Sequence, residues 1–382
     1  MSTNIYDDIA PLYDHEVETA IKDLLLDPGF QHAVKYIMPE IDWDEFSAVM
    51  SRYKTKYDFQ SEMIYNTVWM LGRKSTTSMK GDQWDKISRD KQHLFLSNHR
   101  DIVLDAGFLN ILRREQGLDT TEIAIGDNLL IHPWIEKLVR MNKSFIVKRG
   151  LGVREQLISS KHMSDYIHYA ITEKGESVWM AQREGRAKDS NDRTQDSILK
   201  MLTLGAKGSF VESLKELNII PVSISYEFDP CDYLKAKEFQ LKRDNPEYKK
   251  SQRDDLLNME IGILGFKGNV LFRFGDCIND KLDTMTATDR RSQVEEAVKI
   301  IDKTIHSNYE FYVGNYIAYD LLNETTRFAD KYTAADVAKY EEYLKKQIGK
   351  IDLDYIDFDF CRHKMLEMYS NTLRNYLIAT EQ

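Results

Sequence analysis

The feature that most limits what this chain can fold into is a change of texture near residue 93. From there, short apolar runs alternate with amphipathic stretches. The runs are HLFLS (93–97), EIAI (122–125), SFIV (144–147), SVWMA (177–181), IIPVSISY (219–226) and NVLFRF (269–274). Residues near 102–115, 132–141, 153–173 and 196–217 lie between them and carry apolar side chains at helical spacing. Strands alternating with helices predict an α/β domain with a largely parallel or mixed sheet flanked by helices. Before it, Phe46, Val49, Met50, Tyr53 and Tyr57 recur at helical spacing, and after about residue 285 the pattern is helical again. Cys361, Met365, Met368 and Tyr376 suggest a closing helix. The expected organisation is a helical N-terminal segment over 1–85, the α/β domain over 86–325 and a helical C-terminal segment over 326–382. The charged run within 232–256 is expected to be a solvated helix or loop.

Composition narrows the classes of partner. At 382 residues and 42% hydrophobic, the chain can bury a large core. Its formal charge of -10 argues against a general nucleic-acid binder, which would show a basic domain or stripe. A local basic pocket for an anionic substrate remains compatible with it. The three cysteines, Cys231, Cys277 and Cys361, are far apart and form no zinc spacing or disulfide framework. A reducing, cytoplasmic setting follows. The acidic N-terminal stretch lacks the apolar core of a signal peptide, and no apolar run reaches 18 residues. Acting on a lipid, such a protein would have to meet the membrane from the side.

His99 follows the apolar run HLFLS and precedes the apolar stretch IVLDAGFLNIL. Strand ends and helix starts are where α/β proteins place their chemistry. A histidine there can serve as a general base near neutral pH, oriented by a carboxylate. Asp101 and Asp105 are both available. A purely structural alternative has Asp101 capping the helix while His99 packs. The HRD tripeptide also opens the protein-kinase catalytic loop, but that loop needs Asn five residues after its Asp, where Ala106 stands here. No GxSxG hydrolase elbow occurs.

Further motifs follow in order. NHRDIVLD is succeeded by GDNLLIHPWIEKLVRMNKSFIVKRG, WMAQREGRAKDSNDRTQ, IIPVSISYE and GFKGNVLFRFGDCI. In this order and spacing, residues 93–280 resemble the glycerol-3-phosphate and lysophosphatidate acyltransferase superfamily, most nearly its glycerol-3-phosphate branch. The family's HRSxxD box, its basic pair after a strand, its FVEGGRSRTG block and its IPIYIGYE strand have counterparts here. One detail departs from the pattern. The family leaves four residues between His and Asp, and Leu104 stands at that position. Asp105 is the favoured partner and Asp101 the alternative.

The resemblance implies an O-acyltransferase in which His99 takes the hydroxyl proton as an alcohol attacks an acyl thioester. The donor would be acyl-CoA or an acyl-carrier protein, with no further cofactor and no metal. The acceptor would be glycerol 3-phosphate, or alternatively lysophosphatidate or another lyso- or amino-lipid. Arg100, Lys148, Arg149, Glu184, Gly185 and Arg186 are the expected substrate-binding residues, with Arg183 and Lys188 as further cations. A peripheral position at the cytoplasmic face of a membrane is implied. A chain that kept the fold as a non-catalytic lipid-binding protein is the alternative of another class. Leu129, Leu130, Ile131 and Trp134 form an apolar stretch for which core packing is the simpler reading and acyl-chain contact the sharper one. His93, His132, His162 and His168 lack metal-ligand spacing and are expected to be structural or exposed.

Overall fold

A computed structural model describes residues 4–381. Its centre is a seven-stranded sheet of β1 (Ser78–Asp82), β2 (Leu94–Ser97), β3 (Glu122–Gly126), β4 (Ser144–Val147), β5 (Val178–Ala181), β6 (Ile220–Tyr226) and β7 (Asn269–Phe274). The spatial order is β1-β7-β6-β2-β5-β3-β4. All neighbours pair in parallel except β6 with β7. The sheet is therefore mixed, with five strands running one way and an edge pair running the other.

Strand alternation divides the core. Leu94, Leu96, Val178 and Met180 face one apolar cluster with the helices Val153–Thr172 and Arg290–Ser307. Phe95, Trp179, Ile220, Val222 and Ile224 face the other, with the helix Leu104–Glu115. The central strands β2 and β6 are buried along their whole length, which is why they read as continuous apolar runs.

β1 was not legible as a strand, and residues 1–85 are not wholly helical. Its sequence SMKGD has no apolar run because it is a half-exposed edge. A Cβ on Gly81 would lie 2.1 Å from the Trp84 ring, so that glycine lets the ring close over the strand. The stretch 196–217 is two helices, Asp196–Leu202 and Phe210–Glu216. At the break, a Cβ on Gly205 would meet the Asp165 amide nitrogen at 2.5 Å. The charged run is only partly a solvated surface, exposed over 242–247 and 251–253 but mostly buried before that. It forms the helices Asp232–Asp244 and Gln252–Leu264, and the first buries Asp232, Lys235, Glu238 and Gln240. Burial is tolerated because Lys235 pairs with Asp229, and Glu238 with Lys188.

The N-terminal helices cross the molecule from one sheet edge to the other. At the start, the Ile146 amide of β4 donates to the Ile9 carbonyl at 2.9 Å. At the end, the helix Tyr65–Ser75 leads into β1. Between these points Phe30, Phe46, Met50 and Phe59 form an apolar cluster.

Candidate active site

The site is built at the end of β2, where the sheet opens towards solvent. The Asn98 side chain continues the pairing of β2 with β6 past the last strand residue. Its Oδ1 accepts from the Ile224 amide at 2.8 Å and its Nδ2 donates to the Ile224 carbonyl at 2.9 Å. That pair anchors the loop carrying His99.

His99 Nδ1 lies 2.8 Å from Asp105 Oδ2. The same oxygen accepts from the backbone amides of Arg100 at 2.6 Å and Asp101 at 3.1 Å. The other carboxylate oxygen, Oδ1, accepts from the Tyr226 hydroxyl at 2.9 Å. Asp105 is completely buried, and these four donors satisfy its charge. With Nδ1–H donating to Asp105, the imidazole keeps Nε2 as its acceptor. Trp179 holds the ring edge-on, with centroids 5.6 Å apart, and its own Nε1 donates to Ser97 Oγ at 3.0 Å.

The partner is thus Asp105, and Asp101 has a different task. Its Oδ1 accepts from the amides of Val103 at 2.9 Å and Leu104 at 2.8 Å. This turn absorbs the additional residue between His99 and the carboxylate and starts the helix at Leu104. Burial raises the Asp101 carboxyl above the usual range, and Lys267 opposes that shift. A Cβ on Gly262 would lie 2.3 Å from Asp101 Oδ2, so the neighbouring helix needs glycine there.

Arg100 is not among the residues lining the cavity beside His99. Its guanidinium turns into the core and pairs with Asp192 at 2.5 Å, both side chains being almost fully buried. The Tyr309 hydroxyl donates to the same carboxylate at 2.7 Å. The nearest compensating charge for Arg100 lies 92 residues downstream, beyond the reach of local spacing.

Beside His99 a cavity of about 1590 Å³ opens. Much of its lining is apolar, and the N-terminal helical segment contributes Phe30, Val34, Phe46, Met50, Phe59 and Met63. Leu129, Trp134 and His132 line it too, so the apolar stretch after GDNL is cavity wall as well as packing. The lining also carries charge, with Lys148, Arg149, Arg183, Glu184, Arg186 and Lys188, and Gly185 between two of them.

These cations differ in freedom. Lys148 reaches the exposed Asp8 at 2.7 Å, and Arg149 pairs with Glu184 at 3.3 Å. Lys188 is held by Glu238. Arg183 and Arg186 have no carboxylate within ion-pair distance among the described residues. Arg186 donates to Asn258 Oδ1 at 3.0 Å, and the Arg183 Nε is buried without a partner. Gly185 stands at φ +68°, a left-handed conformation that favours glycine and turns the loop between the two arginines.

Several contributors carried no role in the sequence. Asp127 of GDNL accepts the Arg149 amide at 3.2 Å, and a Cβ on Gly126 would meet the Arg149 Nε at 2.6 Å. GDNL therefore seats Arg149. Tyr226, Asn98 and Asp192 also act across long sequence gaps. A polar residue ending or following an otherwise apolar run is the one signal that could have drawn attention to Tyr226 and Asn98.

Residues 80–225 match the family model described as Acyltransferase. Lipopolysaccharide assembly protein B of Escherichia coli (strain K12) is 22% identical over 115 residues, 29% of this chain and 29% of that protein. The protein of the same name in Escherichia coli O157:H7 gives the same values. The chain spans under a third of the length of these curated relatives. The crystal structure of the 1-acyl-sn-glycerophosphate (LPA) acyltransferase PlsC from Thermotoga maritima is 9% identical. The match covers 74% of this chain and 92% of that one, with a TM-score of 0.36. His99, Asp105, Lys148, Arg149 and the Glu184–Arg186 turn all lie within the residues matched by the family model.

Proposed function

We propose that this protein transfers a fatty acyl group from an acyl-CoA or acyl-carrier-protein thioester to a hydroxyl of glycerol 3-phosphate, with His99 as general base. The observation that carries the reading is the His99–Asp105 pair, 2.8 Å apart, opening on a cavity lined by both apolar side chains and a group of cations. An alcohol is a poor nucleophile at neutral pH and needs a base in hydrogen-bond reach as it attacks. His99 Nε2 takes the hydroxyl proton while the alcohol oxygen bonds to the thioester carbonyl carbon. Asp105 stabilises the resulting imidazolium. The tetrahedral intermediate then collapses, the C–S bond breaks, and the departing sulfur receives the proton from His99.

The apolar lining suits the acyl chain. Arg183 and Arg186 suit the acceptor phosphate, because a guanidinium presents paired donors to phosphate oxygens and neither is already neutralised by a carboxylate. Lys148 and Arg149 supply further positive charge at the mouth. Glu184 orients Arg149. Exposed Val153, Leu157 and Ile158 occupy the first two turns of a helix whose Gln156 and Ser160 line the cavity. They offer an apolar edge to a membrane surface beside the mouth. Among the described residues no helix is long and apolar enough to cross a membrane.

His99→Ala tests the assignment. The variant should fold normally and lose transfer from palmitoyl-CoA to glycerol 3-phosphate by about 10²–10⁴-fold. Full activity would remove His99 from the chemistry. The second reading, a lyso-lipid acceptor such as lysophosphatidate, draws support from the cavity, whose volume exceeds the roughly 300–1,000 Å³ common for ligand pockets. A panel of acceptors with one labelled donor separates the two. The non-catalytic reading leans on the shifted His-to-Asp spacing, and thioester hydrolysis or transfer by the purified protein would eliminate it.

A further inference from the structure

We propose that Tyr226 is a positioning residue for the general base: its hydroxyl fixes the Asp105 carboxylate and thereby sets the basicity of His99. This deepens the acyl-transfer reading and depends on it for its catalytic consequence. Tyr226 is the last residue of β6, and its side chain is buried beneath the His99 loop. Its hydroxyl donates to Asp105 Oδ1 at 2.9 Å. Oδ2 is occupied by His99 and two backbone amides, so Tyr226 is the one side chain besides His99 that donates to this carboxylate among the described residues.

The other charged groups nearby make their hydrogen bonds elsewhere, although Asp101 and Lys267 act on the site through space. Asp101, on the same loop, accepts from Val103 and Leu104. Asp229, after β6, pairs with Lys235. Lys267, before β7, donates to the Gly265 carbonyl at 2.7 Å. Arg100 is turned to Asp192. Burial, together with the negative charge of Asp105, raises the Tyr226 phenol well above its ordinary value, so it stays a donor across the working range.

A hydrogen bond to the ionised carboxylate stabilises it and lessens its pull on the His99 proton. Without the hydroxyl, Asp105 favours the imidazolium more strongly and His99 becomes more basic. The same bond also holds the carboxylate, and through it the imidazole, in line with the cavity. Its removal therefore acts on both the protonation state and the orientation of the base.

The test compares wild type, Tyr226→Phe and His99→Ala. Two quantities are measured: the pH profile of kcat/KM with palmitoyl-CoA and glycerol 3-phosphate, and the NMR titration of ring-labelled His99. Tyr226→Phe should move the acid limb and the His99 titration upward together by roughly half to one pH unit, and lower kcat by about tenfold with little change in KM. A thermal melt checks that the fold is kept. If the His99 titration in Tyr226→Phe stays where it is in wild type, the proposal is overturned, whatever happens to stability. Full activity in His99→Ala would instead sink the acyl-transfer reading. The NMR titration would still decide the role of Tyr226.

Discussion

Residues 14–75 and residues 313–380 are both mostly helical, both flank the domain and both bury an apolar cluster, but the second adds a buried polar network that the first lacks among the described residues. The N-terminal layer meets the cavity with apolar side chains, among them Phe30, Phe46, Met50 and Phe59. The C-terminal layer closes on a buried carboxylate. Asp232 accepts from the Tyr343 hydroxyl at 2.5 Å, the Tyr369 hydroxyl and Gln347 Nε2 at 2.8 Å each, and the Tyr233 amide at 2.6 Å. The same layer grips the loop beyond Arg186 through Asn371, whose Nδ2 donates to the Asp189 carbonyl at 2.9 Å. Non-directional contacts leave room for a flexible ligand, whereas directional ones fix a position. One layer makes space and the other holds the loop in register.

The comparison breaks most visibly at Asp232. Asp232→Ala leaves several buried donors without an acceptor and should cost about 3 kcal/mol, read as a lower urea midpoint. The effect should fall on stability, with the KM of the remaining folded enzyme little changed. A collapse of acceptor affinity at full stability would show that this layer touches substrate. The pH dependence has a definite sign. Burial raises Asp232 from 3.8 to about 7, outweighing the Tyr343 and Tyr369 hydroxyls, which act the other way. Between about pH 4 and 7 the folded state therefore binds more protons than the unfolded chain. The contribution of Asp232 is full at the acid end and is lost as pH rises through about 7. Asp232→Ala should flatten that slope, and an unchanged slope would assign it to other groups.

A smaller effect is expected on the apolar side. Met63→Trp narrows the cavity and should lower kcat/KM for a sixteen-carbon donor about tenfold relative to an eight-carbon one, at a stability cost under about 1 kcal/mol. Equal losses for both donors would place the acyl chain elsewhere. The least change is expected from Lys148→Ala. Its pair with Asp8 is largely exposed and should contribute less than about 1 kcal/mol to folding. A several-fold rise in the KM for glycerol 3-phosphate, with the donor KM unchanged, would put Lys148 at the phosphate.

What the sequence disclosed follows the same division. The six apolar runs became six strands, and the central β2 and β6 read most plainly because strands buried along their whole length have little choice but to be apolar. His99 was recognisable from its place at a strand end. What stayed hidden depended on partners far away in sequence: Arg100 on Asp192, Lys235 on Asp229, Glu238 on Lys188. A charged run looks solvated until the opposing charge is known. The edge strand β1 lacked a pattern because an edge buries little. The cavity wall of the N-terminal helices was unreadable for another reason. Apolar residues at helical spacing look the same whether they close a core or border a void.

The crossing of the N-terminal layer from β4 to β1 has a consequence for how the molecule can be shortened. The layer resembles a strap buckled at both rims of the sheet, with Ile9 at one and Ser78–Asp82 at the other. Cutting the chain after residue 85 would remove more than a cavity wall. It would strip β7 of its parallel partner and uncover the β4 rim, leaving rows of unpaired backbone donors and acceptors along both margins. Residues 86–382, expressed alone, would be a sheet with two adhesive edges. Its tendency to self-associate would reflect the missing strap rather than any weakness in the core.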